Sequence, residues 1–400
     1  MRNADVVVVG SGPAGISAAV TAARCGLKTI LLEKDAFVGG IPVKGHITTL
    51  CGLYMTPADK KKPQLLHDHE GITRDFVRFL LRLDGVEGAS RMGKAYVLPC
   101  RPKSFDAAAR WFIENEPALT VCCESEFCSA EVTARRIQNI EIDLKGYRCR
   151  IKTGAVIDAS GDAVVCRAAG ARVIDPDTRN QVPALIFPLH HVASNENSAV
   201  GAARRHMIIR HAVERGALPP EALAVSFMSS LEPESLIVKL NLGLLIKADL
   251  QISEKKLGHA ANELKKIIVR FLRQHGDGFE KCTTPPVTSP VLHRESVRGA
   301  GIYMLRMQDV LSARKFPDAV AKGCWPVEKW DEKGTLSVEY IPDGEYYEIP
   351  RQALQSVSID NLFMAGKSIS ADSGAIASAR VIGCCFATGE AAAKLAAERI

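Results

Sequence analysis

The chain has 400 residues, 47% apolar and 24% charged, with 51 basic against 45 acidic side chains and a formal net charge of +6. That length exceeds one ordinary domain and the apolar share is ample for a core. The charge is dispersed, which argues against a nucleic-acid or membrane-surface role, and its one basic run, Lys60-Lys61-Lys62, reads as a solvated loop.

An apolar strand, Val6-Val7-Val8-Val9, follows Met1 almost at once, so no signal or transit peptide is expected, and no apolar run reaches the length of a membrane span. Twelve cysteines then imply reduced thiols and a soluble, cytoplasmic protein rather than a disulfide framework. Cys122-Cys123 with Cys128, and Cys384-Cys385, lack metal-ligand spacing, and no ferredoxin-like cysteine run is present, so no metal site is expected.

After the first strand come Gly10-Ser11-Gly12-Pro13-Ala14-Gly15, a helix with Ile16, Ala19, Val20 and Ala23 on one face, Gly26 as its end, and a second strand, Ile30-Leu31-Leu32-Glu33. In such a unit Gly10 allows a sharp turn, Gly12 lets backbone N–H groups approach a pyrophosphate, and Gly15 lets the helix sit close on the sheet. Pro13 costs nothing at a helix start, where its missing N–H would be unpaired. Glu33 stands where a carboxylate accepts the hydroxyls of an adenosine ribose and would repel a 2′-phosphate, which disfavours NADP.

Lys34 and then Gly39-Gly40-Ile41 follow the ribose acid. With these residues the chain resembles the glutathione-reductase-like flavoproteins, two-dinucleotide-binding-domain proteins in which a Gly-Gly after the acidic strand end runs beside pyrophosphate and flavin. The resemblance implies FAD.

Helices are expected at 71–84 and 103–115, from the periodicity of Phe76, Phe79, Leu80, Leu83 and of Phe105, Ala108, Ala109, Phe112, and strands at 119–123, 130–143 and 147–158. The last group resembles the small meander of such flavoproteins and leads into Ala159-Ser160-Gly161-Asp162, similar to the A-[ST]-G-D element that returns a strand under the dinucleotide. Asp162 is also a candidate cap for the helix behind it. Runs 184–192 and 235–242 suggest a mixed sheet around a polar, helix-like insertion, and a long amphipathic helix is expected over 253–274.

The final hundred residues, with Arg294-Glu295-Ser296-Val297-Arg298-Gly299, Asn361-Leu362-Phe363-Met364-Ala365-Gly366-Lys367-Ser368 and Gly374-Ala375-Ile376-Ala377-Ser378-Ala379-Arg380, are similar to a broad family of bacterial FAD-dependent oxidoreductases. That resemblance implies flavin contacts from Gly366, Ser370, Ala375 or Ser378. Arg380 beside them is a candidate to bind the anion of the reduced flavin or a substrate carboxylate, with a solvated surface arginine as the alternative.

The expected architecture is α/β: a Rossmann-like FAD-binding domain, with a parallel sheet and a small β-meander, and a discontinuous α+β substrate domain. Its divisions are 1–172 and 351–400 for the cofactor, 173–292 for the substrate, and 293–350 between them. Catalytic candidates are His46 and Cys51, in the segment expected along the flavin, together with His191 and Arg380; His190 and His293 are further acid/base candidates. Covalent attachment of FAD through His46 is a side option, and dithiol chemistry is set aside because Cys51 has no C-x-x-x-x-C partner.

No second GxGxxG unit follows, so no NAD(P)H domain is expected. The leading reading is hydride transfer between a small organic substrate and the flavin, with oxygen, a quinone or a carrier protein as external partner. A non-catalytic or electron-relay subunit of a complex, or a nucleic-acid-modifying flavoprotein, are the rival readings, and oligomerisation is left open.

Overall fold

A computed structural model describes residues 2–58, 62–67, 71–83, 86, 88–176, 181–193, 199–286 and 289–400. Lys60 and Lys61 lie outside this set. Strand β1 (Arg2–Val9) is the centre of a seven-stranded sheet, and its valines 6–8 are fully buried, as expected for a strand covered on both faces. Helix α1 (Pro13–Arg24) and strand β2 (Thr29–Leu32) complete the first unit. Further helices, α2 (Ile72–Leu80) and α3 (Pro102–Glu114), pack through Phe76, Phe105 and Phe112, whose ring centroids lie 5.1 and 5.3 Å from Phe76.

Strand β3 (Leu119–Cys122) adds to β2 in parallel. Strands β4 (Ser125–Thr133), β5 (Arg136–Leu144) and β6 (Tyr147–Asp158) form the antiparallel meander, of which β6 returns beside β1 in parallel. The single strand expected over 130–143 is thus two strands joined at Ala134 and Arg135, both at positive φ. Neither residue type signals such a turn. Arg135 is anchored from outside, donating to the Val357 carbonyl oxygen and pairing with Asp360, each at 3.1 Å.

A short helix, α4 (Val164–Ala168), leaves the end of β6. The second core belongs to β7 (Ala184–His190), α5 (Ala199–Glu214), β8 (Val225–Ser229), β9 (Ser235–Asn241), α6 (Glu254–His275) and β10 (Val291–Leu292). Its sheet, ordered β8-β9-β7-β10, is antiparallel throughout rather than mixed. The short link from β8 to β9 leaves room only for a reversal. Ser253 caps α6, its hydroxyl accepting from the Lys256 N–H.

The chain then passes through a small hairpin, β11 (Val327–Trp330) and β12 (Leu336–Glu339), and rejoins the first core. Strand β13 (Leu362–Met364) pairs in parallel with β6, and helices α7 (Ser373–Ala379) and α8 (Ile382–Ala397) follow. Small residues let α8 cross α1 closely: a Cβ on Gly389 would lie 2.1 Å from the Ala14 carbonyl oxygen, and the Ser17 hydroxyl donates to the Phe386 carbonyl oxygen at 2.6 Å. Among the described residues no helix is long and apolar enough to cross a membrane.

Candidate functional site

Register decides where the fingerprints meet. Val9 pairs with Leu32 on one side and Asp158 on the other, and Asp158 pairs with Met364. The segments leaving these four strand ends, 10–15, Glu33, 159–162 and 365–368, therefore emerge side by side at the carboxyl edge, where open α/β sheets bind ligands.

The three glycines of the first turn differ in what they approach. A Cβ on Gly10 would lie 2.6 Å from the Ala159 carbonyl oxygen and one on Gly15 only 1.7 Å from the Gly10 carbonyl oxygen, whereas one on Gly12 would meet nothing within 4 Å. Gly10 and Gly15 thus serve chain-on-chain contact and Gly12 borders open space. Gly12 is also the N-cap of α1 and, with Pro13 next, brings no capping side chain, so the first-turn donors of Ala14 and Gly15 stand at a positive helix end.

Glu33 is buried and held in place: Oε2 accepts from the Ser11 N–H at 2.8 Å and hydroxyl at 2.6 Å, and Oε1 accepts from the Asp35 N–H at 2.9 Å. An ionised carboxylate offers about four acceptor sites, so capacity for a ribose hydroxyl remains. Lys34 beside it is exposed. The second glycine pair is laid across the first turn, the Gly39 N–H donating to the Ser11 carbonyl oxygen at 2.9 Å, while Gly40, at φ +58°, would place a Cβ 2.9 Å from Gly12 Cα. Ile41 follows with 42% of its surface exposed, a large apolar side chain at the rim of this cradle.

On the β6 side, Asp158 organises the loop. It is fully buried and accepts from the N–H groups of Val165, Cys166 and Ser160 and from the Ser160 hydroxyl. The capping role considered for Asp162 thus belongs to Asp158, because α4 starts from Ala163 in the left-handed region and its donors turn back toward the strand end. Asp162 instead faces Lys367 at 3.5 Å, and although burial opposes its ionisation, Lys367 and Ser296 hold its carboxyl below the usual range. The Gly161 N–H donates to Ser368 Oγ at 3.2 Å, and Gly366, at φ +63°, packs against Ala14. Ser160, Gly161, Asp162 and Gly366 are therefore all brought to the cradle.

Other candidates lie deeper. The Ser370 hydroxyl is buried with no hydrogen-bond partner among the described residues. The Ala375 N–H donates to Asp372 Oδ1 at 2.7 Å, capping α7, and the Ser378 hydroxyl donates to the Trp325 carbonyl oxygen at 2.5 Å and lies 2.9 Å from the Tyr347 hydroxyl. His191 is exposed, its ring 3.0 Å from the Thr283 hydroxyl.

Residues 45–51 bridge the cradle and the second sheet. A Cβ on Gly45 would lie 3.0 Å from Leu292, and Ile47 packs against Ile186, Ile237 and Leu292. His46 is half-buried at φ +50°, and burial, then Lys265 and His190, lower its pKa, which favours a neutral imidazole. Burial and then Glu328 push the Cys51 thiol far above its ordinary range, which gives no support to thiolate chemistry there. The Cys51 carbonyl oxygen accepts from the Gly383 N–H at 2.9 Å, tying this segment to the first turn of α8.

Arg380 ends α7 immediately before α8. Sequence reasoning found it but missed the residues around it. The Glu328 carboxylate accepts from the indole N–H groups of Trp325 and Trp330 at 3.1 and 2.6 Å; burial opposes its ionisation, but Arg380, the two indoles and Lys239 keep its pKa low. Two of the chain's three tryptophans flanking one glutamate was the available signal.

A parallel sheet with two glycine turns at its carboxyl edge, an uncapped helix start facing open space and a buried acid one strand away defines a dinucleotide-binding protein. Its residues fit that group: no atom of the described residues stands where a Gly12 side chain would, and the first-turn donors of a helix N-terminus lie beside that space. The chain matches the FAD dependent oxidoreductase family over residues 5–400 and belongs to that family; it is an enzyme whose cofactor is FAD.

Likeness to individual curated proteins is shorter. The mitochondrial dihydrolipoyl dehydrogenase of Caenorhabditis elegans is 40% identical over 65 residues, 14% of this chain and 13% of that one. The dihydrolipoyl dehydrogenase of Chlorobaculum tepidum is 39% identical over 98 residues, 24% of this chain and 21% of that one. The chain thus spans under a quarter of the curated relatives' length in these matches. Among solved structures, a geranylgeranyl bacteriochlorophyll reductase-like protein from Thermoplasma acidophilum aligns with 100% of this chain and 79% of its own, at 16% identity and a TM-score of 0.49.

Proposed function

We propose that this enzyme transfers a hydride between a small organic substrate and non-covalently bound FAD, and exchanges electrons with an external partner of the oxygen, quinone or carrier-protein class. Bound FAD supplies a two-electron centre at its ring system. The substrate loses a hydride from carbon and a proton from the neighbouring atom, or gains both in the reverse direction, and the electron pair passes on to or comes from the external partner.

One observation carries this reading: residues 45–51 leave the glycine cradle and pack directly on the second sheet, so a single segment borders both the cofactor side and that sheet. On it His46, kept neutral, is the acid/base candidate for the substrate proton. We place the protein in the cytoplasm on the strength of twelve cysteines that are all free.

The test is to purify the protein, record its spectrum and precipitate it with acid. Yellow colour released to the supernatant is expected; colour retained in the pellet would move the reading to covalent attachment, and a colourless protein that FAD does not reconstitute would end it. Anaerobic bleaching of the flavin by candidate metabolites then identifies the electron donor.

A further inference from the structure

Three cationic side chains from distant parts of the chain gather beside Arg380's end of α7. Lys239, on β9, places Nζ 3.3 Å from the centroid of the Trp330 ring, and Arg294, just after β10, places Cζ 4.9 Å from it. The guanidinium of Arg294 donates to the Val182 carbonyl oxygen and to Asn241 Oδ1. Arg380 donates from Nη2 to Gln181 Oε1 at 3.5 Å, and its Nε is buried without a hydrogen-bond partner among the described residues. Gln181 in turn pairs with Trp330 across an isolated bridge and donates to the Glu328 carbonyl oxygen at 2.8 Å.

The balance of charge is unequal. Glu328 is the one carboxylate that acts on all three cations, each of its oxygens accepts one indole N–H, and among the described residues none of the three cations is in ion-pair contact with it. Burial and then mutual repulsion disfavour the charged form of Lys239 and Arg294. Desolvated like charges of this kind cost stability unless an anion joins them. All three side chains keep part of their surface exposed, so they stand at the edge of the packed interior.

The position of the cluster matches the reaction side. Arg380 adjoins the first turn of α8, its charge acts on Cys51, and Cys51 belongs to the segment that borders the cradle. We propose that Lys239, Arg294 and Arg380, gathered at Trp330 and Glu328, bind the carboxylate of a small organic acid, and that this acid is the substrate of the flavin site. The inference rests on the function proposed above for the location of that site. Carboxylate is favoured over phosphate because the Nε–Nη2 edge of Arg380 is a planar fork suited to it, and the Trp330 face offers an apolar surface for an organic frame.

The test titrates the protein as purified with succinate, pyruvate and benzoate, each against its neutral amide, and with inorganic phosphate. Two signals are followed, tryptophan fluorescence and the flavin absorption band. Saturable quenching or enhancement by at least one acid and by none of the amides is expected, with phosphate at least an order of magnitude weaker. Lys239→Met should weaken the acid about tenfold or more, the loss expected for one charged hydrogen-bonding partner. Because Lys239 makes no side-chain hydrogen bond among the described residues, this variant removes little of the fold; Arg294→Lys is the second variant and should weaken binding in the same direction.

No saturable response to any acid, phosphate binding as tightly as the acids, or unchanged affinity in both variants would each overturn the assignment. A tryptophan response without a flavin response would support the anion site while removing its link to the cofactor. A protein without flavin would defeat the function proposed above, and the tryptophan signal would still decide the anion site by itself.

Discussion

A Cβ built on Gly15 would lie 1.7 Å from the carbonyl oxygen of Gly10, so these two residues meet backbone to backbone at the head of α1. Gly12, between them in sequence, would place a Cβ in open space. The difference separates folding from binding. Gly15→Ala should destabilise the chain by more than about 3 kcal/mol, beyond ordinary overpacking because the obstacle is backbone, and thermal melting would show it. Gly12→Ala should melt within a few degrees of the parent yet bind FAD more weakly by about 1–3 kcal/mol, roughly 5- to 150-fold. Equal melting losses in the two variants would contradict this division.

Glu33 receives three protein donors before any cofactor is considered. Glu33→Gln keeps the shape but removes the charge and places an amide N–H₂ among donors. The expected result is FAD affinity lower by about 1.5–3 kcal/mol, measured by fluorescence titration of the flavin-stripped protein.

Asp158 has no exposure and four donors directed at it. Burial raises its pKa more than the hydrogen bonds lower it, so the site is costly as well as binding. Asp158→Ala should leave the α4 donors unpaired and cost about 2 kcal/mol or more in denaturant unfolding. The same variant should loosen Gly161 and reduce flavin content. Full stability with full flavin occupancy would argue that the loop is held by other means.

Lys239 carries the clearest pH dependence. Burial, then Arg294 and Arg380, push its pKa down from 10.5 to about 7, against the attraction of Glu328. Between these values the unfolded chain holds the proton that the folded one releases, so the stability contribution of Lys239 rises with pH across that window. Below it both states are charged and the folded one bears the full cost. Lys239→Met should therefore melt above the parent at pH 6, with the difference shrinking toward pH 10. A difference independent of pH would mean the ammonium is solvated.

Cys51 and Cys25 offer a contrast in thiol access. Cys25 is exposed, whereas Cys51 packs against the buried cluster of Ala95, Val97 and Trp325 and its thiol is held protonated by burial. Iodoacetamide at neutral pH should label Cys25 and leave Cys51 unmodified when the products are read by mass spectrometry. Rapid labelling of Cys51 would restore it as a reactive group.

Much of the cofactor side was legible because its signals are local. Gly10, Gly12 and Gly15 answer to a turn and a helix that begin within a few residues, Ser253 caps the long helix it precedes, and the valines of β1 read as a buried parallel strand. The hairpin at Ala134–Arg135 was not legible, because an ion pair to Asp360, far along the chain, holds a turn that its own residues do not favour. Asp162 and Asp158 show the same limit at short range: both are acids near a helix start, and only the direction in which α4 leaves the strand selects Asp158.

The dinucleotide fingerprint was readable from the chain alone, since turn glycines, strand periodicity and the acid ending β2 are signals carried by neighbouring residues, while FAD followed from the family resemblance of those segments. What stands opposite these segments follows from packing between distant elements. The register row Leu32, Val9, Asp158, Met364 brings four loops to one edge, and the cluster of Lys239, Arg294, Glu328 and Arg380 exists only because separate elements pack together. Charge and burial depend on distance in space, and no spacing along the chain encodes that distance.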